Sequence, residues 1–141
     1  MQHIRQTLID TALAWEQAFG NAPPITSVLS ELDAARLLGC SIEMYSAYMQ
    51  GKTAVQKGHD FVFAGVRYQV KANRPSGKPG SKVTWVPKAR NYEWDFLIWV
   101  HYNQKYEIQE AWCWDRSNYI AAFDRLKRLH PQHYRQGTKL A

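Results

Sequence analysis

The stretch HDFVFAGVRYQVKANR, residues 59–74, admits few conformations. Apolar residues stand at 61 and 63 and then at 66, 68 and 70, so the parity changes across Ala64-Gly65. A period of two belongs to strands, and a parity change over two residues belongs to a tight hairpin turn. Pairing Phe63 with Val66 sets Val62 opposite Arg67, Phe61 opposite Tyr68 and Asp60 opposite Gln69. One face is then wholly apolar. The other gathers Asp60, Gln69 and Lys71 at the end away from the turn. A solvated Asp60–Lys71 ion pair, worth roughly 0–1 kcal/mol, would account for that polar face alone.

A second carboxylate changes the question. Residues 3–19 read as a first amphipathic helix, with Ile4, Leu8, Ala12 and Trp15 near helical spacing and Gly20 and Pro23-Pro24 ending it. ITSVLSELDAARLLG reads as the next helix, with Ser27 as N-cap and Gly39 as stop. On it, Glu31 falls in the middle of the stripe formed by Val28, Ala34, Ala35 and Leu38. A carboxylate aimed inwards needs a cation, a metal or hydrogen bonds. Glu31 either snorkels outwards, pairs with an arginine, or shares a divalent cation with Asp60. Mg²⁺ suits the last arrangement, because it takes oxygen ligands from one or two carboxylates and leaves the rest to water or phosphate. Such an ion polarises a phosphodiester oxygen and activates water. Lys71, on the face shared with Asp60, would orient that water or offset charge growing on the phosphate.

The remaining chain supplies a sheet for this hairpin. WDFLIWVH, residues 94–101, is apolar on nearly both faces, as a covered central strand requires. YNQK reads as a turn and YEIQEAWCW as a further strand. From Ser117, the spacing of Ile120, Phe123 and Leu126 predicts a closing helix with Lys127, Arg128 and His130 at its C-terminal end. SIEMYSAYMQ fits a helix, GKTAVQKG reads as loop, and NRPSGKPGSK as a mobile flap. Residues 131–141 read as a frayed basic tail. The composite is one α/β domain over 1–141, a mixed central sheet of about four to five strands flanked by helices.

Charge points to a partner. The chain carries a net +6, and the window from Phe61 to Tyr92 holds seven basic residues and no acid. Outside it stand eleven basic and twelve acidic residues, so this window supplies the whole excess. Arg67, Arg74, Lys78, Lys82, Lys88 and Arg90 would meet a polyanion, DNA first, unless they serve as a solubilising surface. Trp85, among them, is placed to stack on a base. Trp94, Trp99, Trp112 and Trp114 read as core or dimer surface. Cys40 and Cys113 lack metal spacing and suit a cytoplasmic protein with reduced thiols. No apolar run is long enough for a bilayer, and the N-terminus reads as a charged helix rather than a signal peptide. No phosphate-binding Gly-rich loop and no Ser-His-Asp order is present. His130 and His133 read as tail rather than a metal pair.

Asp60, eight residues, then Gln69-Val70-Lys71, preceded by Ser30-Glu31-Leu32 on a helix, resembles the PD-(D/E)xK nuclease superfamily. The Gln-x-Lys form is similar to its Mrr-type and Holliday-junction-resolvase-like branches. The resemblance covers roughly residues 27–114 but rests on four positions. It implies a restriction-endonuclease-like core and Mg²⁺-dependent cleavage of DNA, with Mn²⁺ able to substitute. Asp60 would be the principal metal ligand, Glu31 the helix-borne acid, and the Val70 carbonyl a further ligand. Gln69 would fill the acidic-or-Gln position and Lys71 would be the motif lysine. His59 stands where the motif has proline, Gln69 is a weaker ligand than glutamate, and YNQK replaces a connecting helix. Cutting both strands of a duplex with one site per domain implies a homo-oligomer. The other readings are a non-catalytic nucleic-acid-binding domain of the same fold and a basic protein-interaction adaptor.

Overall fold

The computed structural model describes residues 1–52 and 58–141. The GKTAVQKG loop expectation falls largely on 53–57, outside the described residues. The alternating stretch forms β1 (Phe61–Phe63) and β2 (Val66–Asn73). They pair antiparallel with Phe61 opposite Tyr68, Val62 opposite Arg67 and Phe63 opposite Val66. Ala64 and Gly65 make the turn with φ of 52° and 77°, the doubly left-handed geometry that matches strand twist. The ladder ends sooner than the expected register does. The Asp60 N–H donates to the Tyr68 carbonyl, so Asp60 does not take the place opposite Gln69.

β3 (Phe96–Tyr102) runs parallel to β2, and β4 (Ile108–Asp115) runs antiparallel to β3. β5 (Thr138–Lys139) closes a five-stranded mixed sheet in the order β1-β2-β3-β4-β5. β3 is the middle strand, and its two side-chain sets face two cores. Ile98, Val100 and Tyr102 join the first, and Leu97 and Trp99 the second. That double burial is why WDFLIWVH shows no alternation.

Three helices cover the first face: α1 (Ile4–Phe19), α2 (Thr26–Leu37) and α3 (Ile42–Gly51). Their contribution includes Ile9, Ala12, Leu29, Ala34 and Ala35, with Tyr45 and Tyr48 alongside. The second face is covered by α4 (Arg116–Phe123), α5 (Pro131–Tyr134) and part of the crossover from β2 to β3. Trp94, Trp99 and Trp114 are buried there and Trp112 packs beside them, so the tryptophans left between core and dimer surface belong to the core. Among the described residues, no helix is long and apolar enough to cross a membrane.

Several local expectations are corrected. α1 buries Ile9 and Ala12 and leaves Ile4, Leu8 and Trp15 outside, because Arg5 and Glu16 flank the buried side and find Asp33 and Arg74 there. α2 begins one residue before Ser27. Its cap position is the buried Ile25, with no capping side chain. α4 stops at Phe123, capped at its start by Asp115, so Lys127, Arg128 and His130 lie beyond it. The tail is not frayed: Tyr134 is fully buried, and its hydroxyl donates to the Pro87 carbonyl. The NRPSGKPGSK segment is likewise tethered, since Gln104 donates to the carbonyls of Ser76 and Lys78.

Candidate functional site

β1 is only three residues long, so the outer edge of β2 lies open beyond Tyr68. Asp60 sits at that opening. Its Oδ2 accepts the Val70 N–H at 2.7 Å, which holds the carboxylate close to the plane of the sheet. Within an extended strand the N–H and C=O of one residue face the same edge, so the Val70 carbonyl faces this opening too. The Lys52 ammonium donates to the Asp60 carbonyl at 3.2 Å.

Glu31 reaches the same point from α2. It lies at the margin of the buried stripe rather than its middle, since Val28 is 57% exposed while Leu29, Ala34 and Ala35 are buried. Its carboxyl hydrogen-bonds with Asp60, and burial first, then the Asp60 charge and this bond, push Glu31 up to about 7 against a weaker pull from Lys52. Two carboxyls in contact oppose each other's ionisation, and Glu31 is the one pushed up.

Lys71 approaches from the other side. Side chains alternate along β2, so Val70 enters the first core while Gln69 and Lys71 point to the opposite face. Burial lowers the Lys71 ammonium, the Asp60 charge opposes that shift, and Arg90 adds to it. Gln69 is half-buried beside it. The edge therefore brings Glu31, Asp60 and the Val70 backbone together, with Lys71 in electrostatic reach of Asp60 from the opposite face. Two groups here carry no local signal in the sequence. Lys52 belongs to a stretch that reads as loop, and Tyr45 to one whose composition only permits a helix. Burial and then the Glu31 and Asp60 charges raise the Tyr45 hydroxyl.

A hard divalent cation fits this donor set: two carboxylates already in contact, with a backbone carbonyl facing the same opening. Among the described residues, no group of three His, Cys, Asp or Glu side chains gathers.

The basic window divides. Arg74 is withdrawn from any DNA surface: its guanidinium makes a two-pronged ion pair with Glu16, donates to the Gln104 carbonyl and lies over the Tyr106 ring. Its side chain is only 7% exposed. Arg67 is likewise engaged, forked onto Asp95, whose carboxyl it holds down at about 2. Lys88 donates to the carbonyls of Asp124 and Leu126 and so ties down the end of α4. Lys78, Lys82 and Arg90 are exposed. Trp85 is 53% exposed and carries the Arg128 guanidinium 4.1 Å from its ring centre.

Three of the histidines have structural duties. His133 Nδ1 accepts the His130 N–H at 2.8 Å, and His130 Nδ1 lies 3.0 Å from the Thr84 carbonyl. His101 Nδ1 lies 2.9 Å from Glu110, which also pairs with Arg135. No protein-family model matches the chain. Nor does any curated protein match it.

Proposed function

We propose that the chain is a Mg²⁺-dependent endonuclease hydrolysing DNA phosphodiesters at the open edge of β2, and that it is a member of the PD-(D/E)xK superfamily acting in the cytoplasm as a homo-oligomer. One observation carries this reading: Glu31 and Asp60, 29 positions apart, meet carboxyl to carboxyl beside Val70 and Lys71. A structural carboxylate would be expected to face a cation, not a second carboxylate.

Asp60, Glu31 and the Val70 carbonyl would hold the ion, with Mn²⁺ an adequate substitute. When bound, Mg²⁺ supplies Lewis-acid polarisation of a phosphoryl oxygen and a lowered pKa for water. The Val70 N–H fixes one Asp60 oxygen and so directs the other outwards. The Lys52 ammonium bonds the Asp60 backbone and steadies the start of β1. Lys71 offers a partly desolvated ammonium from the opposite side, placed to orient the attacking water or to offset charge on the phosphate. Gln69 would supply a neutral amide oxygen. Lys78, Lys82, Arg90 and Arg128 would hold the DNA backbone, and Trp85 a base.

The test is cleavage of supercoiled plasmid in Mg²⁺ or Mn²⁺. Wild type should nick or linearise it, and Asp60→Ala and Lys71→Ala should lose about 100-fold or more, in the range of losses seen when transition-state charge stabilisation is removed. Intact DNA with wild type across metals and substrates would sink the enzyme reading. Salt-sensitive binding without cleavage would instead support the non-catalytic DNA-binding domain, and absence of both would favour the adaptor.

A further inference from the structure

α1 has two apolar sides, and the first core covers one. Ile4, Leu8, Trp15 and Phe19 remain outside it, 63%, 37%, 52% and 67% exposed. At 100° per residue they fall within about 60° of arc. Thr7, Thr11, Ala14 and Ala18 extend that side, and none of the helix's charged residues interrupts it. The hydroxyls of Thr7 and Thr11 donate to the carbonyls of His3 and Thr7, so neither depends on water. The Trp15 and Phe19 rings already touch, their centres 4.7 Å apart.

We infer that this side of α1 binds the same side of α1 in a second copy of the chain, the two helices antiparallel about a two-fold axis. Positions 4, 8, 15 and 19 are symmetric about the point between residues 11 and 12. A two-fold axis there sets Ile4 against the partner's Phe19 and Leu8 against the partner's Trp15, with small Thr11 near the crossing. An isologous contact has this self-complementarity; an arbitrary partner does not require it. Aromatic side chains present roughly 150–250 Å² each when fully exposed, so the side offers on the order of 500 Å² per copy and about 1,000 Å² per pair, the threshold for specific association. The inference does not rest on the nuclease reading, and it stands or falls whether or not the β2 edge cuts DNA.

Sedimentation equilibrium of the whole chain, from low micromolar to several hundred micromolar, should show the mass rising from 16.4 kDa towards twice that value. Ile4→Lys and Phe19→Glu should each remain monomeric throughout, with unchanged circular dichroism, and with the wild-type Tm at concentrations low enough for wild type to be monomeric, because neither residue enters the core. An equimolar mixture of the two variants should recover the dimer, since the ammonium introduced by I4K then meets the carboxylate introduced by F19E across the two-fold axis. Leu8→Lys mixed with Phe19→Glu should not recover it. A monomeric wild type at the highest concentration overturns the inference, as do single variants that associate like wild type or a mixture that fails to recover. A wild type that stays monomeric but floats with phosphatidylglycerol vesicles overturns it too, and assigns the stripe to a membrane surface.

Discussion

Glu31 links the candidate site to stability through a proton. Its carboxyl sits at about 7 in the folded chain against an ordinary 4.5. Between those values the folded state keeps a proton that the unfolded state has released, so stability falls as pH rises through that window. The stabilisation from this group is complete below the ordinary value and gone above the folded one. Thermal melts should therefore show wild-type Tm declining from about pH 5 to about pH 8, with a flatter profile in Glu31→Gln. At the upper pH, Mg²⁺ at ten times its Kd should return about 1.4 kcal/mol to wild type and nothing to Asp60→Asn. The opposite sign holds for Glu110, which Arg135 above all, then His101 and Trp112, hold down at about 2. Its contribution is full above the ordinary carboxylate range and fades as pH falls towards 2, and Glu110→Gln should remove that acid limb from the melt profile.

At the scale of elements, short pieces of chain carry much of the architecture. Tyr134 lies in a four-residue helix, yet it is fully buried and within 2.9 Å of the Tyr119 hydroxyl. Tyr134→Ala should cost about 3–5 kcal/mol in urea unfolding, as large aromatic truncations do, and Asp115→Ala about 1 kcal/mol through loss of the α4 cap. What was legible in the sequence divides along the same line. The β1–β2 register from Phe61 to Tyr68 follows from parity and a turn type, both local, and it matches pair for pair. The ends of α1 and α2 follow from Gly20 and Gly39, both left-handed in the fold. The buried side of α1 did not follow, because two apolar sides compete and distant partners at Asp33 and Arg74 decide between them. The tail did not follow either, since its polar composition hides two buried anchors, Pro131 and Tyr134. For the candidate site, the meeting of Glu31 with Asp60 was readable from a misplaced charge. Lys52 and Tyr45 were not, because nothing in their own segment betrays the contact.

Across the whole molecule, buried charge joins layers that apolar contact alone would leave free to slide. Asp33 is 4% exposed and takes both prongs of Arg5 and the Tyr102 hydroxyl, joining α1, α2 and β3. Asp33→Ala leaves a half-buried guanidinium without its counter-charge and should cost about 3–5 kcal/mol in denaturant titration. The same commitment sorts the basic window. Lys82→Ala and Arg90→Ala should each reduce the salt slope of DNA binding by about one, while Arg74→Ala should lower Tm and leave the slope in place.

The second core has a consequence for how the chain is made. Its inner strand, β3, and the crossover ahead of it are synthesised well before Leu129 and Tyr134, which seal that layer. A ribosome adds roughly 5–20 residues per second, so Trp94 and Trp99 are made some seconds before the Leu129 and Tyr134 that cover them. The first core, supplied largely by α1, α2 and the hairpin, can assemble in that interval. A released chain cut short before residue 129 would keep the segments of the first core and leave the tryptophans of the second without their cover, open to chaperones.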